Sequence, residues 1–225
     1  MTKSEDWCNS RLGYQFSDSD LLKQALTHRS ASTNHNERLE YLGDALLGLS
    51  IARALYDQKP DVREGGLSRF RADLVRRETL AELAREIDLG SCLELGVGER
   101  RSGGNQRASV LADALEAVIG AIFLDGGFTA ANEVVLRVFT SRLENLPAEF
   151  DLIDPKTRLQ EYLQGKQLPP PEYSLADVSG AEHARSFNVR CKIPAFELEA
   201  KGKGSSRRRA EQAAASIALE QLQNG

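Results

Sequence analysis

Asn36-Glu37-Arg38-Leu39-Glu40-Tyr41-Leu42-Gly43-Asp44 decides how this chain is to be read. At about 100° per residue, Glu37, Glu40 and Asp44 fall on one helical stripe, while Leu39, Leu42, Leu46 and Leu49 form an apolar seam beside it. Carboxylates therefore sit against a core. Gly43, Ala45 and Gly48 are small residues in the same helix, which weakens helix propensity but allows another helix to approach closely. A second acidic pair, Asp113 and Glu116, lies three residues apart in the apolar run Leu111-Ala112-Asp113-Ala114-Leu115-Glu116-Ala117.

Either pair alone also fits a solvated helix face. Two such pairs, each embedded among Leu, Ile, Val and small residues, fit a site where several acids converge. Like charges at a core edge require raised pKa values or a neutralising cation. Oxygen-only donors favour Mg²⁺, with Mn²⁺ as a substitute, over zinc. The usual work of such a centre is phosphoryl chemistry with water as nucleophile, so no Ser or Cys nucleophile is needed.

Composition narrows the classes further. The chain has 225 residues, 41% hydrophobic and 28% charged, which is globular and long enough for one large or two smaller domains. The apolar stretch Ala117 to Leu124 is too short to span a bilayer, and the N-terminus lacks a basic segment followed by an apolar one, so a soluble cytoplasmic protein without membrane association is expected. Cys8, Cys92 and Cys191 are too dispersed for a disulfide framework or a zinc site and read as packed thiols. The G-x-x-x-x-G-K-S/T pattern is absent, so the Gly-rich passage from Gly96 to Asn105 reads as a loop and no nucleotide cofactor is expected.

Two domains are expected: a helical domain over 1–146, a linker over 147–153 and a second domain over 154–225. In the first, Ser17 and Asp20 resemble a capping box opening a helix over Asp18 to His28. Further helices are predicted over Glu37 to Asp57, Leu67 to Glu86, Ala108 to Leu124 and Thr129 to Leu146. The second opens with Asp154 as cap and Pro155 in the first turn, with Leu159, Tyr162 and Leu163 facing inward. Pro169-Pro170-Pro171 ends that helix. Strands are predicted over Tyr173 to Val178, Ser186 to Ile193 and Phe196 to Ala200, then a final helix over Arg207 to Leu222 capped by Ser205-Ser206. The order is α-β-β-β-α, and the fold class is mainly α followed by α+β.

Charge is divided unevenly. The net charge is −4, yet residues 154–225 hold 11 Lys+Arg against 9 Asp+Glu. Lys201 to Arg209 concentrates five cations near the start of the last helix, where backbone N–H groups and the helix dipole favour anions. From composition alone this run fits a phosphate-binding surface or a solvated stretch equally well.

Gly202-x-Gly204-x-Ser206-Arg-Arg-x-Ala210, followed by Gln212-Ala-Ala-Ala215, resembles the signature of double-stranded RNA-binding domains, and the α-β-β-β-α order covers 154–223. That resemblance implies reading of A-form shape. It places first-helix contacts at Thr157, Gln160 and Glu161, a loop contact at His183, and phosphate contacts at Lys201, Arg207 and Arg208. Glu211 stands where many members carry a further Lys, which implies modest affinity.

The first domain resembles the endonuclease domain of the ribonuclease III family. The match rests on Asn36 to Asp44 without a gap, supported by Ala25-Leu-Thr-His-Arg-Ser30, Gly66-Leu-Ser-Arg-x-Arg-Ala72 and Leu111 to Gly120. The resemblance implies metal binding by Glu40, Asp44, Asp113 and Glu116, with Asp44 and Glu116 tied most directly to catalysis. Glu37 and Glu64 match secondary acidic positions, and His28 is given a structural role rather than that of a general base. It further implies a homodimer whose two sites cut both strands of duplex RNA with metal-activated water. The products would carry 5′-phosphate and 3′-hydroxyl ends with short 3′ overhangs. Substrates implied are ribosomal RNA precursors and some messenger and small RNAs. Leu42, Leu46 and Leu47 are open to either core or dimer seam. The alternative function is a non-catalytic binder of duplex RNA that acts as a regulator.

Overall fold

A computed structural model describes residues 2–148, 152–179 and 185–224. The chain divides into two compact units, Met1–Pro147 and Ala148–Gly225. In the first, α1 (Lys3–Trp7) runs into a π-helical turn, Cys8–Leu12, and is followed by α2 (Ser19–Leu26), α3 (Glu37–Gln58), α4 (Glu64–Leu74), α5 (Arg77–Glu86), α6 (Val97–Arg101) and α7 (Ala108–Glu144). The second consists of α8 (Pro155–Gly165), β1 (Glu172–Ser179), β2 (Ser186–Ile193), β3 (Leu198–Gly204) and α9 (Arg207–Asn224).

α7 organises the first unit because it is apolar on most sides. Leu111, Leu115, Val118, Ile119, Ile122, Val135 and Phe139 are all buried along it, as expected of a helix that runs through a core. α3 packs along it and buries Leu39, Leu46, Leu47, Ile51 and Leu55. α7 bends at Gly127, whose φ of 77° lies in the left-handed region that glycine adopts without penalty. Just before that bend, the Asp125 carboxylate accepts hydrogen bonds from the Tyr14 hydroxyl (2.6 Å) and from the backbone N–H groups of Ser17 and Asp18 (2.9 Å each). At the other end of the N-terminal segment, the Trp7 indole N–H donates to the Ile87 carbonyl at 2.6 Å.

Several local expectations are corrected. The cap of α2 is Asp18, whose carboxylate accepts from Asp20 N, rather than Ser17. The single helix expected over Leu67 to Glu86 is two, broken where Arg76 is extended. The Thr79 hydroxyl donates to the Asp73 carbonyl across the break. The Gly96 to Asn105 passage contains α6 rather than loop alone. All three cysteines are buried free thiols, and burial pushes the Cys8 thiol up to about 12, which keeps it unreactive.

In the second unit the strands form an antiparallel sheet in the order β1-β2-β3, covered on one face by α8 and α9. Leu159, Leu163, Cys191, Ile193, Ala200, Ala214, Ala215, Ala218 and Leu219 form its core. α8 opens as its sequence suggests: the Asp154 carboxylate accepts from Lys156 N at 2.9 Å, with Pro155 in the first turn. β3 starts later than expected and reaches Gly204, because Pro194–Phe196 form a 3-10 turn. The glycines of β3 are packing residues. A side chain at Gly202 would strike the Ala210 carbonyl and Ala214 of α9.

Candidate metal centre and nucleic-acid interface

The acidic site is built by one helix crossing. Gly43 on α3 faces the backbone of Glu116 on α7, and a methyl group there would fall on the Glu116 carbonyl. Gly120 on α7 faces the Leu39 carbonyl in the same manner. With both Cβ atoms missing, the backbones meet, and the acids one turn away are brought together. Of the small residues read in α3, only Gly43 has this role, since no atom of another element lies near a side chain placed at Gly48, and Ala45 is exposed.

Glu40, Asp113 and Glu116 each offer a carboxylate oxygen, and these oxygens lie within 4.8 Å of one another. Asp44, one turn beyond Glu40, lies outside that set and is exposed, but it is close enough to raise the pKa of both Glu40 and Glu116. Burial first, then repulsion from Asp44, Glu40 and Asp113, pushes the Glu116 carboxyl up to about 8. Glu40 is raised by burial and by Asp113, Glu37 and Asp44, while Asp113 is raised by burial against the opposing influence of Arg77, His28 and Arg29. Neutralisation by a hard divalent cation would relieve this repulsion, and the converging donors are all carboxylate oxygens, so the residues fit such an ion.

Glu40 and Asp113 line a cavity of about 670 Å³ whose other walls include His28, Arg29, Ser30, Glu37, Arg107 and Ser109. His28 is tied to Ser30, with Nδ1 and Oγ 2.8 Å apart. Glu37 pairs with Arg29 at 3.3 Å. Glu64 is not brought to this cluster. It opens α4, accepts from the Ser68 hydroxyl at 2.8 Å, and lines a separate groove with Ala52, Tyr56, Leu67 and Arg71. Arg29, Arg77 and Arg107, which sequence reading did not single out, give the acidic site a basic surround. Only the position of Arg107, just before the acid-bearing helix, offered a hint.

The apolar residues around the motif divide clearly. Leu46 and Leu47 are core, and Leu42 is half-buried. Leu49, expected in the seam, is 55% exposed, and Tyr41 and Tyr56 are 82% and 70% exposed. Together with Ala45 and Ala52 they form an outward stripe along α3 at helical spacing.

In the second unit, Thr157, Gln160 and Glu161 are exposed on one face of α8. Arg207 and Arg208 open α9, where Ser206 Oγ accepts from Arg209 N. Lys201 is not with them. It lies in β3 opposite Arg190, flanked by the buried Ala200 and Gly202, and so projects from the sheet face away from α9. His183 lies outside the described residues.

A helical unit with converging acids and a following helix-covered sheet with a basic helix start fit one class: a nucleic-acid-cleaving unit joined to a duplex-binding module. Comparison with known proteins places it. A ribonuclease-III-like family model matches residues 18–143, and a double-stranded RNA-binding motif matches residues 155–222. The chain is 52% identical to ribonuclease 3 of Vibrio campbellii over the whole of both chains, and 55% identical to ribonuclease 3 of Photorhabdus laumondii over 95% of this chain and 94% of that one. A solved nuclease domain of ribonuclease III from Campylobacter jejuni, described for structural flexibility in the region involved in dimer formation, is 40% identical. It superimposes with a TM-score of 0.60 over 62% of this chain and 99% of its own. The chain belongs to the ribonuclease III family.

Proposed function

We propose that the protein is an endoribonuclease that hydrolyses phosphodiester bonds in double-stranded RNA, leaving 5′-phosphate and 3′-hydroxyl ends with short 3′ overhangs. The observation that carries this reading is the convergence of Glu40, Asp113 and Glu116 at the Gly43–Gly120 crossing. Glu40, Asp113 and Glu116, with Asp44 at the rim, would hold Mg²⁺ or Mn²⁺. When bound, such an ion supplies Lewis acidity that makes water a nucleophile and stabilises the leaving oxygen. The residues do the rest. Glu116 must surrender the proton that its surroundings favour before it can serve as a donor. Glu37 holds Arg29 at the cavity wall, and Arg29 and Arg107 are placed to receive phosphate oxygens of the strand to be cut. Glu64, remote from the acids, is assigned to the α3–α4 groove.

The second unit supplies affinity: Thr157, Gln160 and Glu161 read the groove, His183 is assigned a loop contact, and Arg207 and Arg208 take phosphates across the neighbouring groove. Lys201, on the other sheet face, contributes through charge alone. We further propose a homodimer formed over the outward stripe of Tyr41, Ala45, Leu49 and Tyr56, since the single converging acidic cluster among the described residues would cut one strand. The domain limits 1–146 and 154–225 joined by 147–153 are part of this reading. Among the described residues, no helix is long and apolar enough to cross a membrane. A cytoplasmic enzyme acting on ribosomal RNA precursors and some messenger and small RNAs is the setting proposed.

The test is cleavage of an end-labelled RNA duplex by the full chain with Mg²⁺, beside Glu116→Gln and a matched DNA duplex. Cuts in RNA alone, bearing 5′-phosphate and lost in the variant, are expected. Tight RNA binding without cutting would overturn the enzyme reading and leave a duplex-binding regulator.

A further inference from the structure

Glu211 lies five residues into α9, yet its side chain is only 12% exposed and meets cations from two elements. Lys156 Nζ on α8 lies 2.6 Å from one carboxylate oxygen, and Arg207 Nε lies 2.9 Å from the other. Lys156 is also held over the Tyr173 ring, 4.6 Å from its centroid. A second acid repeats the pattern: Asp154 accepts from Gln212 Nε2 at 2.5 Å and lies 4.0 Å from Arg208. Two carboxylates are thus set among the cations at the start of α9.

We propose that Glu211 is a positioning residue that competes from within the fold with the phosphates of duplex RNA, lowering the affinity of this unit and flattening its salt dependence. The proposal rests on the duplex-binding role given above. Arg207 is 60% exposed with Nε taken by Glu211, so its terminal nitrogens remain available to solvent. A phosphate approaching them also meets the Glu211 charge, which is too sheltered for salt to screen fully. The pair therefore neutralises less than one phosphate, and salt dependence follows the number neutralised. Lys156 is restrained in the same way, between an aromatic face and the same carboxylate.

The test is equilibrium binding of a blunt RNA duplex to the full chain in EDTA, between 50 and 200 mM salt, for the wild type, Glu211→Gln, Glu211→Asp, Arg207→Gln and the Glu211→Gln/Arg207→Gln double variant. Glu211→Gln preserves shape and removes charge. It is expected to bind about three- to tenfold tighter at the lowest salt, with a log–log salt slope steeper by about 0.9. Glu211→Asp, which keeps the charge, should follow the wild type, and the gain should fall by at least half in the Arg207→Gln background. Equal or weaker binding by Glu211→Gln with an unchanged slope overturns the proposal. Equal weakening by the Gln and Asp variants overturns it too, since Glu211 would then serve only to join α8 to α9. Absence of salt-dependent duplex binding in the wild type would instead remove the underlying duplex-binding role, and this inference with it.

Discussion

Gly43 and Glu116 meet backbone to backbone: the α-carbon of one faces the carbonyl of the other, with no space for a side chain between them. The acid at 116 and the acid at 40 are neighbours because the glycine at 43 lets their helices touch. Gly43→Ala should therefore push α3 from α7. A loss of about 1–3 kcal/mol in stability is expected, the overpacking cost exceeding the gain in helix propensity. Cleavage should fall by roughly 100-fold or more, as reacting groups displaced by an ångström lose alignment. Urea unfolding and steady-state cleavage measure the two. Wild-type turnover in this variant would mean the crossing does not set the site.

The Glu116 carboxyl, raised from an ordinary 4.5 to about 8, gives a pH dependence with a definite sign. Its folded-state pKa exceeds its unfolded one, so the stabilisation is full below about 4.5 and is lost as pH rises through 8. Metal-free protein should thus lose stability between these limits, and Mg²⁺ should restore it. Below pH 8, Mg²⁺ binding must expel the proton, so apparent metal affinity should climb by up to about tenfold per pH unit. Glu116→Gln should flatten the pH dependence in EDTA and remove the Mg²⁺ effect. Thermal unfolding from pH 5 to 9 is the measurement, and identical profiles for wild type and variant would refute the assignment.

Arg208, 82% exposed and weakly paired, should behave as a simple phosphate contact. Arg208→Ala is expected to weaken duplex binding uniformly across sequences and to reduce the salt slope by about 0.9. A change in sequence preference, with the slope intact, would show that it reads something other than phosphate.

Tyr41 and Leu46 should part company on mutation. Tyr41 is exposed, so Tyr41→Glu should leave the monomer folded and shift sedimentation from dimer to monomer. Leu46→Ala creates a core cavity and should cost about 2–5 kcal/mol. A dimer unaffected by Tyr41→Glu would remove the α3 stripe from the interface.

Much of this was readable in the chain because its signals are local. The three-residue spacing of Asp113 and Glu116, the Asp154-Pro155 helix start and the alternation in β2 each declare themselves within a few residues. What was missed depends on distant partners. The placement of Lys201 turned on where β3 ends, and the close approach of α9 to Gly202 cannot be read from either segment alone. The break before Arg77 has no Gly or Pro to mark it, and rests on the Thr79 hydroxyl reaching back to Asp73. The exposure of Leu49, despite its place in an apolar pattern, reflects which side α7 occupies. Glu211 looked like a mere departure from a basic pattern, because its partner Lys156 lies 55 residues earlier.

The Asp125 carboxylate holds Tyr14 across 111 residues of chain. A contact of that span cannot form while the protein is being made until α7 has emerged, and the same delay applies to the meeting of Glu40 with Glu116. The N-terminal segment must therefore wait without its anchor through most of the synthesis of the first unit. The three converging carboxylates come together late and at once, with the helix that completes the core, so a partly made chain lacks the acidic cluster altogether.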